Sequence, residues 1–138
     1  MKGRTINQLK IGDRESFQKT ISETDVYLYA GITGDLNPVH VNEEFAGSTM
    51  FKTRIAHGML TAGLISTILG TKLPGPGTVY LAQELKFTAP VKIGDTIKAE
   101  AEVTEIDREK NRIKLKTTCT NQSGNTVLAG TATVMPPK

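Results

Sequence analysis

The stretch 58–72 constrains this chain more than any other. Met59, Leu60, Ala62, Gly63, Leu64, Ile65, Ile68 and Leu69 make it apolar nearly all round a helical wheel. A helix without a wet face must be buried on most sides. Its small residues Ala62, Gly63 and Ser66 allow another layer to approach closely. Thr61, Gly63, Ser66 and Thr67 interrupt the run, which is too short to cross a bilayer.

The material to bury that helix follows it. Pro74-Gly75-Pro76-Gly77 marks a change of character, with helix and loop before it and strands after it. A first long strand is expected over 79–88. In 96–106, Ile97, Ala99, Ala101 and Val103 alternate with Lys98, Glu100, Glu102 and Thr104. In 112–121, Ile113, Leu115, Thr117 and Cys119 stand opposite Arg112, Lys114, Lys116 and Thr118. Period two with one polar face is the pattern of antiparallel strands that have one wet side. Residues 107–111 make the hairpin loop, and Ser123-Gly124-Asn125 turns the chain into a last strand over 126–135.

The first half supplies shorter elements. A strand is expected over 16–21. Ser22 then caps a helix whose first turn carries Glu23 and Asp25, where the helix dipole favours acids. Val26, Tyr29, Ala30 and Ile32 give it helical spacing, and Gly34 ends it. Asn37-Pro38 signals a turn, and Asn42 caps a short helix through Phe45. With 138 residues, no repeat and no linker, 1–138 reads as a single α+β domain, an antiparallel sheet packed around one buried helix.

Charge and cysteine content exclude several classes. The chain has 17 Lys plus Arg and 14 Asp plus Glu, a net charge of +3 spread without a basic block, so a nucleic-acid partner is not expected. Cys119 is the sole cysteine, so no intrachain disulfide forms, which fits a reducing compartment. The N-terminus lacks an apolar secretory core, and a cytoplasmic location is expected. There are only two histidines and neither CxxC nor HExxH, so no metal site is expected.

Two segments carry chemistry. In 29–40, Asp35 and His40 stand five residues apart across a Gly/Asn/Pro turn. Taken alone, an Asp before a turn often bonds its own backbone and a loop His is often solvated. In 54–60, Gly58 at a helix start leaves backbone N–H groups unpaired and approachable. Such donors can hold a carbonyl oxygen as negative charge develops on it. Alternatively, Gly58 only permits close packing and His57 only caps the helix or contacts backbone.

Together, Thr33-Gly34-Asp35-Leu36-Asn37-Pro38-Val39-His40 and Ala56-His57-Gly58-Met59-Leu60 resemble the MaoC-like (R)-specific enoyl-CoA hydratases. The resemblance runs from about Ser16 to the last strand. It implies a hot-dog fold, with an antiparallel sheet wrapped around a long central helix. It implies reversible addition of water to trans-2-enoyl-CoA, giving the (R)-3-hydroxyacyl-CoA, with Asp35 and His40 as catalytic pair. The Gly58 amide would polarise the thioester carbonyl, with Asn37 and Ser66 in support. No separate cofactor is implied, because coenzyme A is part of the acyl-CoA substrate. The family's edge-to-edge pairing implies a homodimer.

The roles within the pair stay open at this stage. An Asp anion beside an imidazolium makes Asp35 the base; a protonated Asp35 beside neutral His40 reverses the roles and needs an apolar pocket. A 3-hydroxyacyl-[acyl carrier protein] dehydratase would share the pair, and a non-catalytic acyl-CoA-binding module would share the fold. A thioesterase would give no reason for the Asp-x-Asn-Pro-x-His unit. Lys72, Lys86 and Arg54 are candidate partners for coenzyme A phosphates, and each also reads as a solvated surface charge.

Overall fold

The two runs of alternating residues become neighbouring strands. In a computed structural model describing all 138 residues, the chain runs β1 (Arg14–Thr20), α1 (Glu23–Thr33), α2 (Pro38–Val41), α3 (Glu43–Gly47), α4 (Gly58–Thr71), β2 (Val79–Phe87), β3 (Thr96–Asp107), β4 (Arg112–Thr120) and β5 (Thr126–Met135). A 3-10 turn at Ile6–Gln8 precedes β1. The strands form one antiparallel sheet in the order β1-β3-β4-β5-β2.

One face of that sheet holds the core. Ile97, Ala99, Ala101 and Val103 of β3 are buried, as are Ile113, Leu115, Thr117 and Cys119 of β4. They join Leu64, Ile65, Ile68 and Leu69 of α4 in one cluster, except Thr117, which accepts a hydrogen bond from Gln83 Nε2 at 3.0 Å. Burying each of the four α4 side chains contributes about 1.5–3 kcal/mol relative to exposure. This layer fixes where α4 begins, and hence where its free N-terminal amides point. At Gly130 of β5, a Cβ would lie 1.7 Å from the Glu84 carbonyl oxygen, so β2 reaches its register only against a bare backbone.

The caps act as expected. Ser22 accepts from the Asp25 amide while Asp25 reaches back to the Ser22 amide, a reciprocal box that starts α1. Gly34 ends it at φ 82°, in the left-handed region that favours glycine. Asn42 accepts from the Phe45 amide at 3.0 Å and starts α3.

Three features differ from the sequence reading. Of the expected apolar positions of α1, only Val26 and Ala30 are buried, and Ile32 is exposed. Asn37-Pro38, expected as a turn, opens the one-turn helix α2 because Asn37 caps it and proline suits a first helical position. The third concerns α4. The sheet covers one side of it only, leaving Met59, Gly63, Ser66 and Gly70 open. Beside that face runs β2, an edge strand with Val79, Tyr80, Leu81 and Phe87 exposed. No helix is long and apolar enough to cross a membrane.

The segment before α4 is tied to the sheet margin. The Ala56 amide donates to the Val91 carbonyl at 2.7 Å, and Ile55 bridges to Lys92. The N-terminus of α4 therefore has a fixed position relative to the β2–β3 connection.

Candidate active site

Side-chain hydrogen bonds step through the Asp-x-Asn-Pro-x-His segment two residues at a time. Thr33 donates to the Tyr29 carbonyl and accepts from the Asp35 amide. Asp35 Oδ1 accepts from the Asn37 amide at 3.2 Å, and Asn37 Oδ1 accepts from the Val39 amide at 3.2 Å. Asn37 thus works locally, as the cap of the helical turn that carries His40 inward. His40 is buried, whereas the Asp35 side chain is 51% exposed in the single chain.

His40 is held by the other motif. Its Nδ1 lies 2.7 Å from the Ile55 carbonyl oxygen, which can only accept. The proton therefore sits on Nδ1, and Nε2 carries the lone pair in the neutral ring. Burial lowers the His40 pKa below its ordinary 6.5, and the charge of nearby His57 acts in the same direction. The Ile55 hydrogen bond and Asp35 oppose that shift without reversing it.

His57 returns the contact. Its Nε2 donates to the Asp35 carbonyl at 3.0 Å, and the Asp35 carboxylate stands 4.0 Å from the same nitrogen. The rings of His40 and His57 stack with centroids 3.8 Å apart, and Tyr29 packs on His57 at 4.6 Å. The Ile55 amide adds a third crossing bond, to the Val39 carbonyl. His57 contacts backbone, as its plainer reading held, but that backbone belongs to Asp35. Nothing in the sequence, beyond the histidine's place before a helix-start glycine, points to this partner.

The side chains of Asp35, His40 and His57 bring one ligand-type atom each to within 4.8 Å of one another. A backbone carbonyl already occupies His40 Nδ1, and another occupies His57 Nε2. That leaves the Asp35 carboxylate, His40 Nε2 and His57 Nδ1 without a backbone partner at the cluster. A single water with hydrogen bonds of roughly 2.8 Å to two such atoms can span a gap of that size.

His40 and Gly58 line a cavity of about 470 Å³, walled mainly by apolar residues such as Phe51, Ile55, Phe87, Val91 and Leu128. The Gly58 amide is the first of α4 and has no acceptor in the protein. A Cβ on Gly58 would lie 2.6 Å from the Phe87 ring. Both readings of this glycine hold: it permits close packing, and it leaves its N–H open at the positive end of a 14-residue helix.

Ser66 is not brought to the pair within one chain. It is exposed on the open face of α4 and lines a separate cavity of about 380 Å³ against β2. Thr67 and Thr71, rather than Ser66, bond the carbonyl four residues back. Of the candidate phosphate partners, Arg54 is held by Glu23, Glu43 and the Tyr27 hydroxyl, and Lys72 donates to the Ser16 carbonyl. Lys86 is exposed.

The chain is similar to known proteins along most of its length. The family model described as MaoC like domain matches residues 7–125. An (R)-specific enoyl-CoA hydratase of Rhodospirillum rubrum is 57% identical over 129 residues, covering 94% of this chain and 89% of the relative. A 3-hydroxybutyryl-CoA dehydratase of Methylorubrum extorquens is 52% identical, covering 94% of this chain and 82% of the relative. Among solved structures, the unliganded R-hydratase PhaJ1 of Pseudomonas aeruginosa superposes with a TM-score of 0.93 at 45% identity, covering 99% of this chain and 88% of that one. The fold is the hot dog, and with most of its length matched to the family model and to these relatives, the chain belongs to the MaoC-like domain family.

Proposed function

We propose that this protein adds water reversibly to trans-2-enoyl-CoA, giving the (R)-3-hydroxyacyl-CoA. The observation that carries the reading is buried His40, held through Nδ1 by the Ile55 carbonyl, with a ligand-type atom within 4.8 Å of the Asp35 carboxylate and lining the same mainly apolar cavity as Gly58. The names of the two relatives support it, since hydration of an enoyl-CoA and dehydration of 3-hydroxybutyryl-CoA are one reaction read in opposite directions. Both names specify coenzyme A esters, which favours that carrier over an acyl carrier protein.

The tautomer supports one division of roles within the pair. The Asp35 carboxylate accepts one hydrogen bond from water and orients it. His40 Nε2 takes the other water proton as oxygen attacks C3, and the electrons of the alkene move onto the thioester oxygen. The Gly58 N–H, aided by the α4 dipole, stabilises the enolate. The imidazolium then returns its proton to C2, restoring the neutral ring and the thioester carbonyl. No cofactor enters, because the activating thioester belongs to the substrate.

Crotonyl-CoA hydration followed by chiral analysis tests this reading. The expected product is (R)-3-hydroxybutyryl-CoA; no hydration, or the (S) product, overturns it. Asp35→Ala and His40→Ala should each lower kcat by about 10² to 10⁴. The double variant should be little worse than the worse single one, because cooperating groups are not additive. Folded single variants with wild-type kcat would remove the pair from the mechanism.

The pH profile gives a second check. A base must be neutral to work, so hydration is supported above the His40 pKa and lost as pH falls through it. Since burial lowers that pKa, the acid limb of kcat/KM should lie below 6.5. An acid limb above that value would contradict the role given to His40.

The reading extends to a cytoplasmic homodimer. The outer edge of β2 and the open face of α4 form one apolar surface, and Met59, Gly63, Ser66, Tyr80 and Leu81 surround its cavity. A second copy pairing along β2 would continue the sheet and cover that surface, Ser66 included. Light scattering should give about twice the chain mass of 14.9 kDa, and Leu81→Arg should weaken the assembly. An active monomer would refute the dimer. Buried Cys119, the sole cysteine, is compatible with a reducing cytoplasm.

A further inference from the structure

Thr61 lies one turn into α4 and is 1% exposed. Its Oγ1 and His57 Nδ1 are the two buried side-chain polar atoms without a hydrogen-bond partner. Of these two residues, only Thr61 lines the cavity shared by His40 and Gly58. A threonine in a helix commonly satisfies its hydroxyl on the carbonyl four residues back, as Thr67 and Thr71 do. For Thr61 that acceptor is the His57 carbonyl, which already takes the Leu60 and Thr61 amides at 3.1 and 3.4 Å. Valine has the same shape and would leave no buried hydroxyl unpaired. A hydroxyl left unpaired on a mainly apolar wall is thus poised for something that enters the cavity.

Its position limits what that can be. Residues three apart on a helix share a face, and helical side chains lean toward the N-terminus. Thr61 therefore leans toward the turn that begins with Gly58, where the free amide already offers one donor. A developing enolate oxygen gains from a second donor on the same cavity wall, since fixed donors in an apolar site need no reorganisation as charge appears. We propose that the Thr61 hydroxyl is a second hydrogen-bond donor to the thioester oxygen, working with the Gly58 N–H. This rests on the hydration reading and assigns the residue a catalytic role.

The test compares Thr61→Val, Thr61→Ser and wild type for kcat and KM on crotonyl-CoA, with thermal melts of each. Loss of a donor used mainly by the enolate should lower kcat roughly 10²-fold in Thr61→Val and leave KM nearly unchanged. Thr61→Ser keeps the hydroxyl and should recover most of the rate. The melting temperature of Thr61→Val should equal or exceed that of wild type, because an unpaired buried hydroxyl has been removed. If valine does not fold at this site, Thr61→Ala removes the same hydroxyl and carries the comparison. A folded variant without the hydroxyl that turns over at the wild-type rate overturns the inference, as does an equal loss in Thr61→Ser. Wild-type protein inactive on crotonyl-CoA would remove the hydration reading and this inference together. An active wild type matched by Thr61→Val would remove this inference alone.

Discussion

The site depends on a reciprocal exchange of hydrogen bonds between two short segments. His40 donates to the Ile55 carbonyl, beside the second motif, and His57 donates to the Asp35 carbonyl in the first. The two rings stack at 3.8 Å, so neither can turn without disturbing the other. This clip does chemical work as well as structural work. Because a backbone carbonyl can only accept, it holds a proton on His40 Nδ1 and leaves Nε2 bare. A backbone group thereby sets which nitrogen is available, and burial favours the neutral ring that the proposed base requires.

The fold makes the clip possible by fixing both segments independently. Gly34 and Thr33 end α1 so that Asp35 emerges at a defined point, and Asn37 starts the turn that sends His40 inward. On the other side, the Ala56 amide on Val91 pins the second segment to the sheet before α4 begins. Arg54 links this segment to α1 and α3 through Glu23 and Glu43. These ion pairs are partly solvent-exposed, and pairs of that kind contribute little each. The crossing hydrogen bonds and the anchored helix start are the stronger constraint. Their result is an apolar cavity with few hydrogen-bonding groups on its wall, which suits a substrate that is mostly acyl chain with one thioester to activate.

Much of this was legible in the sequence, for physical reasons that differ by element. The core faces of β3 and β4 could be read because a half-wet strand must alternate, and Ile97 through Val103 do so without a break. The ends of α1 could be read because Ser22 and Gly34 act on their immediate neighbours. Asp35, His40 and Gly58 stood out as a pattern by resemblance to the family. The partners of His57 and Arg54 were not legible, since their contacts bridge 22 and 31 residues and exist only after folding. The open face of α4 was hidden for another reason. A helical wheel records which positions are apolar, but it does not distinguish a buried apolar position from an exposed one. Ser66 illustrates the point, placed by resemblance near the acid and found, within one chain, on that open face.

The central claim is that the Ile55 carbonyl fixes the His40 tautomer and so supplies the bare nitrogen that activates water. Nitrogen NMR of the wild-type protein with isotope-labelled histidine, His40 being assigned by comparison with a His40→Gln variant, measures this directly. At neutral pH the account predicts a proton-bearing Nδ1 and an unprotonated, lone-pair Nε2 for His40. An Nε2 that carries the proton beside a bare Nδ1, or an imidazolium at neutral pH, would contradict it.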